Sequence, residues 1–353
     1  MTNLDLTKPT PQATPSGTPL LEVDDLHVEF RTRSGTVNAV NGVSYSLAAG
    51  ETLAILGESG SGKSVSAQAI MGILETPPAV ISGGGIWFQG EDVLQMSAED
   101  QRKIRGPGIS MIFQDALSSL NPVYSVGYQI GEMFRAHRGM SKKEARKRAV
   151  EMMDRVRIPA AARRVDDYPH QFSGGMRQRV MIAMAIALDP RILIADEPTT
   201  ALDVTVQAQV MDLLKDLQAE TGMGLILITH DLGVVNEVAD NVAVMYAGEI
   251  VERGTVDDVF TRPSHPYTDG LMSSVPQVEA KGGRLTPIAG QPPNLARIPA
   301  GCPFHPRCTR RRLGAEAAPG RDCSTDVPPL RLVVPGREAA CHYSEEVLGV
   351  PAQ

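Results

Sequence analysis

Residues 57–64 read Gly57-Glu58-Ser59-Gly60-Ser61-Gly62-Lys63-Ser64 and fit the pattern G-x-x-x-x-G-K-[ST]. The glycines allow the backbone to wrap around phosphate groups, so that its N–H groups and the start of the following helix face the anion. A lysine at this position reaches the β- and γ-phosphates of a nucleotide, and the next hydroxyl is a ligand for Mg²⁺. The stretch therefore predicts a P-loop in which Lys63 and Ser64 carry these two roles.

The segments around this loop predict the secondary structure that a P-loop requires. The apolar run Thr52–Leu56 precedes it as a buried strand, and Ser64–Leu74 follows as a helix. Two more buried strands are predicted at Ile192–Ala195 and Leu225–Ile228, with a helical segment between them. Apolar strands that alternate with helices are typical of a parallel sheet covered on both faces. Apolar alternation from Leu21 to Tyr45 predicts antiparallel strands before the loop.

Two carboxylates, Asp196 and Glu197, follow the first of these later strands. A carboxylate at a strand end suits the coordination shell of Mg²⁺, directly or through water. Its neighbour can polarise an attacking water, because hydrolysis needs a base within one hydrogen bond of the nucleophile. In isolation, two solvated acids at a strand end are an equally good interpretation. Beside a P-loop, the catalytic interpretation is favoured.

A second anion site is predicted at Ser173-Gly174-Gly175, which opens an apolar helix over Val180–Leu188. The alternative is a plain helix cap formed by Ser173.

The motifs resemble those of ATP-binding-cassette (ABC) ATPases and occur in the same order. Residues 173–175 resemble the signature loop, and Gln114 in Ile-Phe-Gln-Asp resembles the glutamine of the Q-loop. Thr200-Ala201-Leu202-Asp203 resembles the D-loop, and His230 in Ile-Thr-His-Asp resembles the switch histidine. Phe30 has the place of the aromatic residue that stacks on adenine.

This resemblance implies an α/β fold of the P-loop NTPase (RecA-like) type, with an antiparallel β region and a helical subdomain. It also implies that two cassettes pair head to tail, so that residues 173–175 complete the partner's ATP site. His230 would contact the γ-phosphate and hold the closed geometry with Glu197, and Gln114 would sense Mg²⁺ and the attacking water. The implied catalytic residues are Lys63, Gln114, Glu197 and His230. The implied nucleotide and Mg²⁺ ligands are Phe30, Gly57, Ser59, Gly60, Ser61, Gly62, Lys63, Ser64, Gln114, Ser173, Gly174, Gly175, Asp196 and Asp203, of which Ser64, Gln114 and Asp196 would serve Mg²⁺.

Longer strings resemble one family of cassettes, the oligopeptide/dipeptide importers, and specifically the first of their two ATPase subunits. They are SGGMRQRVMIAMAIA from Ser173, ADEPTTALDV from Ala195, and the C-terminal strings HPYT from His265, GQPP from Gly290 and CPFHPRC from Cys302. The family implies ATP hydrolysis coupled to import of di- or oligopeptides or peptide-like solutes, at the cytoplasmic face of the cell membrane. The implied partners are two membrane permeases, a second ATPase subunit or an identical chain, and an extracytoplasmic solute-binding protein.

Composition bounds the organisation of the 353-residue chain. The net charge of −7 and the 4% aromatic content argue against a general nucleic-acid binder. The first residues carry no signal-peptide pattern, and no apolar run is long enough for a spanning helix, which predicts a cytoplasmic protein. We predict a disordered tail over 1–19, an ABC ATPase domain over 20–262 with a helical subdomain at about 115–178, and an irregular, cysteine-containing C-terminal extension over 263–353. Residues of roughly 95–170 are predicted to be mostly helical.

The four cysteines, Cys302, Cys308, Cys323 and Cys341, are separated by 5, 14 and 17 residues. In a reducing compartment such a cluster favours metal binding over disulfides. Structural zinc sites usually contain a close C-x(2–4)-C pair, which is missing here, so the spacing favours iron over Zn²⁺. The family resemblance implies a [4Fe–4S] cluster; Zn²⁺ and unliganded thiols stay open as alternatives.

Two other functions are compatible with a single cassette. One is a soluble ABC ATPase that acts on DNA or ribosomes; such proteins usually fuse two cassettes or insert a long coiled coil, and this sequence has neither. The other is an iron–sulfur redox sensor that uses ATP as a regulator.

Overall fold

The computed structural model describes residues 19–114, 119–200, 202–274 and 287–350. These residues form a four-stranded sheet of order β2-β1-β4-β5 and an eight-stranded sheet of order β11-β12-β10-β9-β3-β8-β7-β6. The strands are β1 (Leu21–Thr32), β2 (Gly35–Leu47), β3 (Thr52–Leu56), β4 (Ala79–Phe88), β5 (Glu91–Asp92), β6 (Ile109–Ile112), β7 (Ile192–Asp196), β8 (Gly224–Thr229), β9 (Asn241–Tyr246), β10 (Glu249–Thr255), β11 (Arg331–Val334) and β12 (Arg337–Ala339).

The helices lie between these strands in sequence, except α11, which follows β12. They are α1 (Lys63–Met71), α2 (Ala98–Ile104), α3 (Val126–Arg138), α4 (Lys142–Arg155), α5 (Ala161–Arg164), α6 (Gly174–Ile186), α7 (Val204–Thr221), α8 (Leu232–Val238), α9 (Val256–Thr261), α10 (Pro266–Ser273) and α11 (Ser344–Leu348). Short 3₁₀ turns occur at Pro169–Gln171 and Gly314–Glu316.

The larger sheet has the predicted parallel centre. Strands β9, β3, β8, β7 and β6 are neighbours in that order, and each pair among them is parallel. Residues of one strand alternate between two cores: Ile192 and Ile194 of β7 pack with α1 and the smaller sheet, whereas Leu193 and Ala195 pack with α3, α4, α6 and α7. Both faces are thus buried, as the uninterrupted apolar runs predict.

The smaller sheet confirms the predicted antiparallel region, because β1 pairs antiparallel with both β2 and β4. The glycine Gly62 brings this sheet to the P-loop. With φ at +102° it has a backbone conformation that favours glycine, and a Cβ atom there would lie 2.2 Å from the carbonyl oxygen of Ala39 in β2.

Two predictions about regular structure were wrong in part. The stretch predicted to be mostly helical contains β6, which pairs in parallel with β7 as the edge strand of the larger sheet. The C-terminal segment is not irregular throughout, since β12 pairs with β10 and continues the larger sheet with β11. The missed strands β6 and β12 are short, and Ser110 interrupts the apolar pattern of β6. Most of the predicted tail lies outside the described residues, as do Asp115 and Ala201 of the quoted motifs.

Candidate functional site

The P-loop connects the end of β3 to α1, where the topology brings the carboxyl ends of the parallel strands together. Gly57 has φ of +153°, and a Cβ atom there would lie 2.3 Å from the carbonyl oxygen of Met245. The loop backbone is thus packed against β9 so closely that a side chain cannot fit. Ser59 and Gly60 form the exposed tip, whereas Ser61 and Lys63 are buried.

The ammonium group of Lys63 is held by the loop. Its Nζ atom donates to the carbonyl oxygens of Gly57 at 2.8 Å and Glu58 at 2.9 Å, and more weakly to Ser61 Oγ at 3.4 Å. Burial lowers the pKa of Lys63, and the negative charges of Glu197, Asp196 and Glu58 oppose that effect. A phosphate group would supply stronger, charged acceptors than these carbonyls.

Asp196 ends β7 and has a carboxylate oxygen, Oδ1, that is buried without a hydrogen-bond partner. Burial raises the pKa of Asp196, while a hydrogen bond from the Ser64 side chain lowers it. Buried polar atoms normally have a bonding partner, and this oxygen, close to the Ser64 hydroxyl, has none within the described residues. Because Mg²⁺ prefers oxygen ligands, Ser64 and Asp196 fit a magnesium site at the edge of the P-loop.

Glu197 is the centre of a cluster that joins three strand ends. Gln114 Nε2 donates to Glu197 Oε2 at 2.7 Å, and Thr200 Oγ1 donates to the same oxygen at 2.9 Å. The Nδ1 atom of His230 lies 3.3 Å from Glu197 Oε1. The structure therefore brings together Gln114, Glu197 and His230, which stand 83 and 33 residues apart in sequence. The contact between Thr200 and Glu197 was not predicted from the sequence. The available signal was that Thr200 follows Glu197 by three residues.

Electrostatics keep the Glu197 carboxylate ionised. Burial would raise its pKa, but hydrogen bonds from Thr200 and His230, together with the charges of His230 and Lys63, outweigh it and leave the pKa below its ordinary value. An ionised carboxylate can accept a proton from water, which is what a general base must do.

The signature and D-loop residues lie at the starts of two neighbouring helices. Ser173 caps α6 by accepting a hydrogen bond from the Met176 N–H at 3.4 Å, and Asp203 caps α7 by accepting one from the Val206 N–H at 3.0 Å. Ser173, Gly174 and Asp203 are exposed. Ser173 thus forms the predicted cap, and its exposed helix start also remains open to an anion from outside the chain.

Phe30 lies half-buried in β1, where it pairs with Val37 of β2 and Ala79 of β4. Because β2 also contacts the P-loop through Ala39, Phe30 belongs to the sheet that flanks the phosphate site.

The cysteines line one cavity of about 320 Å³ in the C-terminal segment. All four are free thiols. Burial, with a smaller contribution from the nearby Cys341, Cys323 and Cys308, raises the pKa of Cys302 to about 12. Within the described ranges, however, no three His, Cys, Asp or Glu side chains are close enough to share one metal ion. The thiols therefore surround a space without converging on a single point.

A second, apolar cavity of about 250 Å³ lies next to the Q-loop. Phe113, which precedes Gln114, has 42% of its surface exposed there. The other lining residues include Met71, Met111, Met133, Met181, Met184 and Leu188.

Comparison with known proteins places this site in a family. Residues 40–200 match the family model described as ABC transporter, and residues 251–313 match the one described as oligopeptide/dipeptide transporter, C-terminal region. The chain is 54% identical over 308 residues to the dipeptide transport ATP-binding protein DppD of Bacillus subtilis, which covers 87% of this chain and 92% of that protein. It is 49% identical over 345 residues to the oligopeptide transport ATP-binding protein OppD of Salmonella typhimurium, with 98% and 100% covered.

The chain belongs to the ATP-binding subunits of oligopeptide and dipeptide ABC transporters.

Solved structures agree with this membership. The dimeric structure of a post-hydrolysis state of the ATP-binding cassette MJ0796, bound to ADP and Pi, superimposes with a TM-score of 0.60 at 28% identity, covering 67% of this chain and 98% of that one. The predicted ABC cassette fold and the ATPase class are thus confirmed, and members of this family are expected to use ATP with Mg²⁺. The comparisons give no support to a DNA- or ribosome-directed ATPase or to a redox sensor. None of the helices in the described ranges combines the length and apolarity needed to cross a membrane.

Proposed function

We propose that this subunit couples ATP hydrolysis to the import of di- or oligopeptides, bound to the cytoplasmic face of two membrane permeases and paired with a second ATPase subunit. One observation carries the proposal: Gln114, Glu197 and His230 meet beside a P-loop in a chain closely similar to dipeptide and oligopeptide transport ATP-binding proteins. An extracytoplasmic solute-binding protein would deliver the peptide to the complex.

The residues of the site suit in-line attack of water on the γ-phosphate of ATP. Lys63, the P-loop N–H groups and the start of α1 would bind the β- and γ-phosphates. Ser64 and Asp196, with Gln114, would hold Mg²⁺, which neutralises charge on the phosphates. Glu197 would accept a proton from water as the water oxygen bonds to the γ-phosphorus and the bond to the bridging oxygen of ADP breaks. Gln114 would orient that water, and His230 would contact the γ-phosphate.

Each ATP site would also need a second cassette. Ser173, Gly174 and Asp203 are exposed at the starts of α6 and α7, where Ser173 and Asp203 cap their own helices. A helix start with free N–H groups stabilises negative charge, so Ser173–Gly175 suits the γ-phosphate of ATP held by the partner's P-loop. Asp203 would support that contact across the same interface. A second ATPase subunit is the proposed partner, and an identical chain is the alternative.

The apolar cavity beside Phe113 suits a helix of the permease. Its lining includes five methionines and Leu188 beside the polar Arg105 and His137, and methionine side chains adapt to an inserted apolar surface. Because Gln114 follows Phe113 directly, a partner seated here would be linked to the glutamine that contacts Glu197. The permease would thus act on the catalytic cluster through the Q-loop.

We retain the predicted division into an ATPase domain over 20–262, with a helical part at about 115–178, and a cysteine-containing extension over 263–353. In support, helices α3 to α5 fall within the helical part, and the cysteine cavity falls within the extension.

For the cysteine cavity we propose a [4Fe–4S] cluster held by Cys302, Cys308, Cys323 and Cys341. Such a cluster binds one thiolate per iron, so its ligands surround a volume, and the four thiols line one cavity. When bound, the cluster would supply a structural cross-link or one-electron chemistry. Iron and acid-labile sulfide assays on anaerobically purified protein test this, and the absence of both would refute it.

The import function is tested by mass spectrometry of the proteins that co-purify with the tagged chain from detergent-solubilised membranes. We expect two multi-span permeases, a second cassette ATPase and a solute-binding protein. Recovery only from the soluble fraction, without permeases, would refute the transport proposal.

A further inference from the structure

A bidentate ion pair joins the C-terminal segment to the P-loop. Arg307 Nη1 donates to Glu58 Oε2 at 2.6 Å, and Nη2 donates to Glu58 Oε1 at 2.9 Å. The two residues are 249 positions apart, and Glu58 is the second residue of the P-loop motif. The Arg307 side chain is only 6% exposed and that of Glu58 is 25% exposed. Two parallel charge-assisted bonds in a largely buried position fix both distance and orientation.

The C-terminal side of this pair is rigidly held. Arg307 Nε donates to the carbonyl oxygen of Ala289 at 3.0 Å, and its backbone N–H donates to the carbonyl oxygen of Phe304 at 3.0 Å. The guanidinium carbon lies 5.8 Å from the ring centre of Tyr246 and 6.0 Å from that of Phe304. The guanidinium therefore has one well-defined position.

Tyr267 makes a second contact with the same P-loop residue. Its hydroxyl accepts a hydrogen bond from the Glu58 backbone N–H at 2.9 Å. The Tyr267 side chain is fully buried, with its ring centre 4.6 Å from that of Tyr246 and 5.4 Å from that of Phe304. The rings of Tyr246 and Phe304 thus support both residues that hold Glu58. Arg307 binds the side chain of Glu58, and Tyr267 binds its backbone N–H.

The position of Glu58 matters for the nucleotide site because its carbonyl oxygen accepts from Lys63 Nζ at 2.9 Å. Glu58 is also next to Gly57, whose carbonyl oxygen is the other close acceptor of that ammonium group. A displacement of Glu58 would move the loop backbone that surrounds the phosphates together with the lysine that binds them.

We propose that Arg307 and Tyr267 are positioning residues of the ATP site, which act through Glu58 to hold the P-loop in its phosphate-binding conformation. The inference rests on the proposed ATP-binding role of the P-loop and adds a part of the chain that lies outside the ATPase motifs. The C-terminal segment would thereby set the affinity for nucleotide without touching it.

The test is the equilibrium affinity of the purified full-length chain for a fluorescent ATP analogue with Mg²⁺. Arg307→Met removes the charge from a side chain of similar length. Arg307→Lys keeps the charge but cannot donate to both oxygens of Glu58 in the same geometry. Tyr267→Phe removes only the hydroxyl. The matched control is Arg331→Met, which breaks another bidentate pair of the C-terminal segment, with contacts of 2.6 and 2.8 Å to Glu345. Folding of each variant is checked by circular dichroism.

We expect Arg307→Met to bind the analogue about tenfold more weakly, Tyr267→Phe about threefold more weakly, and Arg331→Met as tightly as the natural chain. Arg307→Lys should recover part of the loss. In Glu58→Gln, the further change Arg307→Met should add little, because both remove one interaction.

Equal affinities of the natural chain, Arg307→Met and Tyr267→Phe would overturn the inference, as would an equal loss in Arg331→Met. If Arg307→Met does not fold, the affinities of Arg307→Lys and Tyr267→Phe are compared with that of the natural chain, and equal values would overturn the inference. Failure of the natural chain to bind the analogue would instead refute the proposed ATP-binding role itself.

Discussion

Glu197 has a backbone φ of +46°, in the left-handed region that non-glycine residues rarely adopt. The neighbours hold it there: its N–H donates to the carbonyl oxygen of Ile228 at 2.8 Å, and Gln114 and Thr200 bind its carboxylate. Such a conformation persists only where the surroundings determine it, and it is common at functional sites. The carboxylate is thus fixed in place by the fold before any nucleotide arrives.

The first prediction concerns this carboxylate. Glu197→Gln keeps the size and an acceptor oxygen but removes the base, so we expect ATP hydrolysis to fall by about 100-fold or more while ATP binding persists. Phosphate release by the assembled transporter and binding of a fluorescent ATP analogue measure the two effects. Glu220→Gln, on the exposed side of α7, is the control and should hydrolyse ATP normally. A fully active Glu197→Gln protein would contradict the assignment of the base.

The second prediction concerns Glu249 at the start of β10, where burial raises the pKa to about 7 and His27 partly opposes it. The pKa of glutamate in an unfolded chain is about 4.3. At pH values between these two, Glu249 carries a proton in the folded state but not in the unfolded state. The contribution of this proton to the free energy of unfolding is therefore present at low pH and is lost as pH rises through about 7.

Glu249→Gln stays neutral at every pH. We therefore expect it to be about 1–2 kcal/mol more stable than the natural chain at pH 8, with a smaller difference at pH 5. Urea unfolding at the two pH values measures this, with Glu22→Gln on the exposed side of β1 as control. A difference that does not change with pH would show that Glu249 does not titrate as described.

At the scale of elements, the contact between α6 and α7 depends on Gly175. A Cβ atom there would lie 2.6 Å from Val206 Cγ1, in the first turn of α7. This close approach sets how the signature loop and the D-loop lie relative to each other. We expect Gly175→Ala to lower the free energy of unfolding by about 1–3 kcal/mol through overpacking.

Val206→Ala should relieve this overpacking. In the double variant Gly175→Ala/Val206→Ala we expect the stability and the ATP-dependent pairing of cassettes to recover in part, as measured by thermal unfolding and size-exclusion chromatography. If Val206→Ala gives no recovery, the contact with Val206 is not the cause of the loss.

Local sequence predicted those elements whose apolar pattern is uninterrupted. Thr52–Leu56 became β3 as expected, because five buried residues in a row give a strong local signal. The edge strand β6 was missed because Ser110 interrupts a run of only four residues inside a polar region. Strand β12 has a single apolar residue, Ala339, and pairs with β10 only because the fold brings that edge near. Tertiary context decides such short strands.

At the scale of the whole molecule, some contacts of the candidate site could be predicted from sequence motifs, whereas others depend on tertiary packing. The family resemblance assigned Gln114, Glu197 and His230 to one centre, and the structure brings them together. No sequence pattern indicated that Arg307 binds Glu58, because an ion pair across 249 residues leaves no periodic signal. The grouping of the cysteines around one cavity follows from tertiary packing in the same way, and their proposed cluster remains a prediction.

The last prediction concerns docking on the permeases. Phe113 is 42% exposed in the apolar cavity beside the Q-loop, so we expect Phe113→Ala to weaken association with the permeases by about tenfold and to leave ATP binding unchanged. Quantitative co-purification from solubilised membranes measures the association. Leu332→Ala, which removes an apolar side chain of β11 that is 60% exposed, is the control. Equal recovery of the permeases with all three proteins would rule out this cavity as the docking site.

The pairing of β12 with β10 has a consequence for synthesis of the chain. Arg337, the first residue of β12, follows Thr255, the last residue of β10, by 337 − 255 = 82 residues. At roughly 10 residues per second, a ribosome needs about 8 s to make that interval. During this time the nascent cassette presents the unpaired edge of β10, which is a template for wrong strand pairing. Once β12 is made, it pairs with Glu252 and Arg253 of β10, so we expect the extension to cover part of that edge and to reduce wrong strand pairing.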